Sequence, residues 1–93
     1  MSRFPADEID RVARSHGAVS VRVFGSRARG DGGPDSDLDL LVRLEPGRSL
    51  LDLIAIKQDL EDILHCSVDV VTEAGLSPYL RDRILAEARP IGG

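Results

Sequence analysis

The sequence predicts a small α/β domain (α+β by another convention), in which a mixed β-sheet carries helices mainly on one face. Stretches with helical spacing of apolar residues alternate with short stretches rich in Val and Leu, and Gly, Pro, Asp and Ser separate them. The length of 93 residues suits one domain, residues 1–93, with a modest core. The predicted elements are helix 5–16, strand 18–24, a short helix 26–30, strand 37–44, helix 50–64, strand 67–72 and helix 77–88.

The first helix and strand are predicted from their end signals and their periodicity. Pro5 suits the first turn of a helix, and Gly17 suits its end. His16 lies at this end and is interpreted as a partly exposed capping residue, not as a catalytic one. In the strand that follows, alternate valines are expected to face the core, namely Val19, Val21 and Val23.

The long central helix is predicted by a capping pattern and an apolar stripe. Ser49 followed by Asp52 is a variant of the capping box. The charged residues of this helix, which include Lys57 and Glu61, are interpreted as solvated surface, and His65 as its end. The stripe expected to face the core consists of Leu53, Ile56, Leu60, Ile63 and Leu64.

The last strand and helix complete the predicted fold. Strand 67–72 is rich in Val but carries Asp69, which would be costly to bury without a partner. Ser77 and Pro78 predict the start of the last helix, and Pro90 its end. The polar face of this helix can dock a partner, although plain surface is the default interpretation. Its inner stripe is expected to be Leu76, Leu80, Ile84, Leu85 and Ala88.

Composition argues against several classes of protein. Twelve basic and 16 acidic residues give a net charge of −4, which does not favour a generic nucleic-acid-binding protein. The single cysteine, Cys66, excludes an internal disulfide and a cysteine zinc site, and it is expected near the core. The sequence shows neither a membrane-spanning stretch nor a basic-then-apolar leader, so a cytoplasmic location without membrane association is expected.

Asp37 and Asp39 are the first candidates for chemistry. Because side chains alternate along a strand, both carboxylates point to one face while Leu38 and Leu40 point to the core. Their backbone positions are roughly 6.6 Å apart at ~3.3 Å per residue, so the carboxylate tips can approach one small cation. Oxygen ligands on a stiff strand favour Mg²⁺ or Mn²⁺ over zinc. The alternative is a solvated strand end that carries two aspartates.

The second candidate is the turn after the first strand. Gly25 permits close approach of the backbone, and Ser26 can cap a short helix whose free amides face a phosphate group. Arg27 and Arg29 follow, and arginine can bind phosphate oxygens in a bidentate way. Which of the two arginines points inward stays open. Ser36 precedes the paired aspartates and either orients the first of them or closes the turn.

The spacing of these two candidates resembles that of a known family. Gly25-Ser26, ten further residues and then Asp37-Leu38-Asp39 resemble the Gly-Ser-x10-Asp-x-Asp signature of the polymerase β-like nucleotidyltransferases. More narrowly, Gly-Ser-Arg-Ala-Arg-Gly followed by Ser-Asp-Leu-Asp-Leu-Leu-Val is similar to the minimal nucleotidyltransferases, the antitoxin partners of HEPN-domain toxins. The order of elements around the signature fits that family over nearly the whole chain.

The resemblance implies a nucleotidyltransferase palm-like fold, Mg²⁺ (or Mn²⁺) as cofactor and ATP as substrate. The nucleotide-binding residues that it implies are Gly25, Ser26, Arg27, Arg29 and Ser36. The catalytic and metal-binding residues that it implies are Asp37, Asp39 and Asp69. For Asp69, the alternative interpretation is an ordinary aspartate on an edge strand.

The function implied by the resemblance is that of an antitoxin that transfers AMP from ATP. The expected acceptor is a hydroxyl, in particular that of a tyrosine, on a cognate HEPN toxin, and a hetero-oligomer with that toxin is possible. Two alternatives stay open. The chain can neutralise the toxin by binding alone, with the metal site inactive, or it can modify a small molecule or an RNA end.

Overall fold

The computed structural model describes residues 6–25 and 37–91. Its helices are α1 (Ala6–Ser15), α2 (Leu50–Leu64) and α3 (Pro78–Glu87), and a short 3₁₀ helix spans Glu73–Gly75. Its strands are β1 (Ala18–Phe24), β2 (Leu38–Leu44), β3 (Val68–Val71) and β4 (Arg89–Pro90). The order of strands in the sheet is β3-β2-β1-β4. The predicted helix 26–30 and the turn after it lie outside the described residues.

The sheet is mixed, which confirms the predicted fold class. β1 pairs antiparallel with β2 and with β4, whereas β2 and β3 are parallel because helix α2 connects them. The sequence analysis missed β4, which pairs with Arg22 and Val23 of β1. Two residues, one of them a proline, are too few to produce a recognisable strand pattern, and proline is tolerated at this position because β4 is an edge strand.

The hydrophobic core lies between one face of the sheet and the helices α1 and α2. Leu38, Leu40 and Val42 of β2 are all at most 1% exposed, while Arg43 points away from this core and is exposed. The burial predicted for this face of β2 is therefore present, although Leu41 on the opposite face is also only 1% exposed. The other fully buried members of the core are Ile9, Ala13, Ile56, Leu60 and Val68. Cys66 packs against this cluster, as predicted.

Three residues that were predicted to face the core are exposed instead. Val19 is 44% exposed because the register of β1 with β2 shifts between Ala18 and Ser20, and this irregularity breaks the alternation. Ile63 and Leu80 are 43% and 48% exposed. Helix α3 has no buried residue, since α1 and α2 already build the helical side of the core. Within the described ranges, none of the helices is long and apolar enough to cross a membrane.

The ends of α2 agree with the predicted signals. The side chain of Ser49 accepts a hydrogen bond from the Leu51 N–H at 3.2 Å. The carboxylate of Asp52 accepts one from the Ser49 N–H at 3.0 Å, which completes the capping box. His65 ends the helix in the left-handed region, with φ of 56°.

His16 lies at the end of α1, as predicted, and makes a contact that the sequence analysis missed. The side chain is partly exposed, as predicted, but its Nε2 lies 2.7 Å from Oδ2 of Asp59 on α2. Its backbone N–H also donates to the carbonyl of Ala13 at 3.1 Å, so His16 both ends α1 and joins it to α2. The sequence separation of 43 residues hides this contact from any local pattern.

Candidate active site

Three acidic residues lie together at one end of the parallel pair β2–β3. Asp37 directly precedes β2, and Asp39 is opposite Asp69 in the register of the two strands. The adjacent residues Leu38 and Val68 are 1% and 0% exposed and belong to the core. Because side chains alternate, the three carboxylates are directed to the opposite face of the sheet. The fold thus brings together the residues that the sequence analysis singled out, and their catalytic role stays a prediction.

Asp39 is the half-buried member of this group, whereas Asp37 and Asp69 are exposed. Burial raises the pKa of Asp39 above its ordinary value of 3.8, and the negative charges of Asp69 and Asp37 raise the pKa further. A hydrogen bond with the Asp69 side chain acts in the same direction, because it stabilises the protonated carboxyl of Asp39. Like charges are therefore concentrated at this point.

The chemistry of the group fits a hard divalent cation, although the side chains do not form a finished cage. Within residues 6–25 and 37–91, no three His, Cys, Asp or Glu side chains are arranged to hold a metal ion. The hydrogen bond between Asp39 and Asp69 turns these two carboxyls toward each other. Carboxylate oxygens are preferred ligands of Mg²⁺, and a bound cation would remove the repulsion among Asp37, Asp39 and Asp69. Rotation of side chains suffices for this, because neighbouring strands hold Asp39 and Asp69 only ~4.8 Å apart.

In the absence of divalent cations, Asp39→Asn is expected to make the fold slightly more stable at pH 7. An aspartate whose folded-state pKa is raised contributes most to stability below its unfolded-state pKa, and this contribution is lost as the pH rises through the folded-state pKa. Asparagine keeps the shape without the charge. For a partly solvated group the gain is at most about 1 kcal/mol, or up to ~5 °C in Tm.

Thermal melts of both proteins in EDTA, between pH 3.5 and pH 8, measure this effect. The difference between Asp39→Asn and the wild type should grow as the pH rises. Asp62→Asn, at an exposed position of α2, is the control and should show no such trend. A fall of many degrees in Asp39→Asn would contradict the prediction, since it would give Asp39 a structural role.

Gly25 directly follows β1 and lies beside Asp39. Its φ is +78°, and a Cβ atom at this position would lie 2.3 Å from Oδ2 of Asp39. Glycine is therefore required here for its backbone conformation and for the close approach of the carboxylate. The Gly25 N–H donates a hydrogen bond to Oε1 of Glu87, at the end of α3, at 2.9 Å. The backbone amide that was predicted to meet a phosphate group thus binds an anionic oxygen already.

The other predicted nucleotide-binding residues, Ser26, Arg27, Arg29 and Ser36, lie outside the described residues. The sequence analysis also missed three residues near the acidic group. Glu87 was not singled out, because nothing local connects the last helix to the first strand. Lys57 and Glu61 were interpreted as solvated surface, but both bind the backbone of Val68, next to Asp69. Helical spacing alone could not distinguish an exposed ion pair from one that contacts an edge strand.

A cavity of about 380 Å³ lies at the other end of β2 and does not include the acidic group. Arg22, Arg43 and Arg48 contribute to its lining, together with Glu45 and Glu73. Arg22 is bound to Glu73 at 2.7 Å across this cavity wall. Of the acidic group, Asp37 and Asp69 are exposed and Asp39 is half-buried.

The chain is similar to a known domain family and to individual proteins from two archaea. Residues 8–91 match the family described as the nucleotidyltransferase domain. MJ0435 of Methanocaldococcus jannaschii, a candidate protein adenylyltransferase, is 47% identical over 77 residues, which are 83% of each chain. The protein adenylyltransferase MntA of Thermococcus cleftensis is 33% identical over 95 residues, which cover 94% of this chain and 96% of MntA.

Solved structures have the same fold. A candidate minimal nucleotidyltransferase is 52% identical, with a TM-score of 0.80 over 91% of this chain and 87% of that one. A toxin–antitoxin complex with AMP-PNP is 20% identical, with a TM-score of 0.80 over 94% and 72% of the two chains. The complex of a tri-AMPylated Shewanella oneidensis HEPN toxin with its MNT antitoxin is 18% identical, with a TM-score of 0.70 over 91% and 66%. The last two likenesses concern the fold alone.

Proposed function

Because this chain belongs to the nucleotidyltransferase domain family, we propose that it is an antitoxin that transfers AMP from ATP to a tyrosine hydroxyl of a HEPN-type toxin protein. The observation that carries the proposal is the pairing of Asp39 with Asp69 on two parallel strands. The Asp39 carboxylate lies beside the backbone of Gly25, whose amide already binds an anionic oxygen. Phosphoryl chemistry needs both features, because it depends on charge neutralisation and positioning more than on covalent catalysis.

The names of the similar proteins favour a protein as the acceptor. MJ0435 and MntA are both named as protein adenylyltransferases, and the fold is shared with antitoxins in complexes with toxins. The net charge of −4 argues in the same direction, since a protein that modifies RNA ends would gain from a basic surface.

In the proposed reaction, Asp37, Asp39 and Asp69 would hold Mg²⁺ or Mn²⁺. When bound, the cation neutralises phosphate charge and activates the acceptor hydroxyl. The Gly25 N–H would exchange its bond with Glu87 for one with a phosphate oxygen, with Ser26, Arg27, Arg29 and Ser36 as further proposed phosphate contacts. The tyrosine oxygen attacks the α-phosphorus of ATP, the bond from this phosphorus to the bridging oxygen breaks, and pyrophosphate leaves. Asp69 accepts the hydroxyl proton.

Transfer of label from ATP tests the proposed acceptor. The purified chain is incubated with Mg²⁺ and ATP labelled at the α-phosphorus, together with one of three acceptors. These are a HEPN-type toxin protein, an RNA and an aminoglycoside. We expect label on the HEPN-type protein only, and its loss when the acceptor tyrosine is replaced by phenylalanine. Label on RNA or on the aminoglycoside would overturn the proposed substrate. Neutralisation of the toxin without any label would identify an antitoxin that acts by binding alone.

A further inference from the structure

The strand that carries Asp69 has one open edge. β3 is the outermost strand of the sheet, and β2 covers only one of its sides. The Leu38 N–H of β2 donates to the carbonyl of Ser67 at 2.9 Å, so this carbonyl points toward β2. Backbone groups of successive residues point to opposite sides of a strand. The N–H and the carbonyl of Val68 therefore point away from β2, to the side of β3 on which residues 6–25 and 37–91 place no further strand.

Two side chains of α2 bind both of these backbone groups. Nζ of Lys57 donates to the carbonyl oxygen of Val68 at 2.8 Å. The Val68 N–H donates to Oε2 of Glu61 at 3.0 Å, and Nζ of Lys57 donates to the same Oε2 at 2.9 Å. Lys57, Glu61 and Val68 thus form a closed ring of three hydrogen bonds, here called the edge clamp. In the described part of the chain, it binds the backbone groups of Val68 that a further strand would otherwise bind.

We propose that Lys57 and Glu61 are positioning residues, whose edge clamp holds Asp69 in register with Asp39 so that both can bind one divalent cation. This inference rests on the proposed function, for which Asp69 is a metal ligand. Val68 precedes Asp69 directly, and β3 has only four residues. Fixing both backbone groups of Val68 therefore fixes the start of the strand and the direction of the next side chain.

The pKa shifts of Lys57 and Glu61 connect the edge clamp with the acidic group. The pKa of Lys57 is raised, first by its hydrogen bond to Glu61 and also by the charges of Glu61, Asp69 and Asp37. The pKa of Glu61 is lowered, first by the hydrogen bond from Lys57 and then by that from the Val68 N–H. The positive charge of Lys57 thus interacts with Asp69 and Asp37, two of the proposed metal ligands. Removal of that charge alone would make cation binding tighter, whereas loss of positioning would make it weaker.

Lys57→Met tests the proposal because charge and positioning predict opposite results. Mn²⁺ binding is measured from the loss of the free-ion EPR signal, and backbone motion from amide hydrogen exchange at residues 68–71 in the metal-free protein. We expect the half-saturating Mn²⁺ concentration to rise about tenfold, as for other residues that orient metal ligands, and exchange at Val68 to become at least several-fold faster. Lys57→Arg, which keeps the charge and a donor, should restore most of both.

The matched control is Arg11→Met, which breaks the exposed ion pair of Arg11 with Glu8 on α1, away from the sheet. It should change neither measurement. An unchanged or lower half-saturating Mn²⁺ concentration in Lys57→Met would overturn the positioning role. If the wild type binds no Mn²⁺ at all, both the clamp and the proposed function fail. If it binds Mn²⁺ with the expected clamp effects but transfers no label to any acceptor, the proposed function alone fails.

Discussion

Asp39→Asn is expected to lower the rate of AMP transfer at least about 10³-fold, or roughly 4 kcal/mol at 1.36 kcal/mol for each factor of ten. Asp39 is the central member of the acidic group, since it lies opposite Asp69 and its pKa responds to both Asp69 and Asp37. An amide in its place cannot neutralise a divalent cation, and several kcal/mol of charge stabilisation in the transition state depend on that cation. Single-turnover transfer of labelled AMP to the toxin at saturating Mg²⁺ measures the effect.

The control for this prediction is Asp62→Asn, which removes one negative charge from an exposed position of α2. It should transfer AMP at the rate of the wild type, within about twofold for a well-solvated surface charge. Co-expression with the toxin gives a second readout: cells with Asp39→Asn should not survive, provided that the variant is present at wild-type levels. Full survival would mean that the chain neutralises the toxin by binding, and that the acidic group is not needed.

The part of the fold that could be predicted from the sequence is the part governed by local periodicity. In β2, Leu38 and Leu40 alternate with Asp39, so the burial of the Leu38 face followed from period two alone, whereas the burial of Leu41 on the opposite face did not. The capping box of Ser49 and Asp52 is likewise local, and it is present. The face of the sheet on which Asp69 lies could also be predicted from the alternation of side chains along its strand.

The contacts between distant segments could not be predicted, because no local pattern encodes them. The Glu87 carboxylate meets the Gly25 amide across 62 residues of sequence, and the direction in which α3 returns to the sheet decides this contact. The position of Lys57 in the helical pattern is the same whether its ammonium group is solvated or bound to an edge strand, so the pattern cannot predict the contact with Val68. The predicted burial of Val19 was wrong for another reason. A local register shift between β1 and β2 is not visible in a run of alternating valines.

Gly25→Ala is expected to abolish most of the transfer activity while costing only moderate stability. At a φ of +78°, a residue with a Cβ atom is strained by roughly 1–2 kcal/mol. The added methyl group would also lie 2.3 Å from Oδ2 of Asp39. This oxygen is the end of a side chain that can rotate, so the clash is relieved by moving the carboxylate. Displacement of a catalytic group by about 1 Å can cost ~10²-fold in rate, and we expect a loss of at least that size.

Gly47→Ala separates the two consequences of the added methyl group. Gly47 has a similar φ of +90°, but a Cβ atom at this position would meet nothing within 4 Å. Both variants should therefore lose about 1–2 kcal/mol of stability, seen as a fall in Tm of ~5–15 °C for a domain of this size. Only Gly25→Ala should lose activity when both are assayed well below their Tm. Equal activity of the two variants would show that the Asp39 carboxylate does not need its present position, and the proposed metal site on β2 and β3 would then lose its geometric basis.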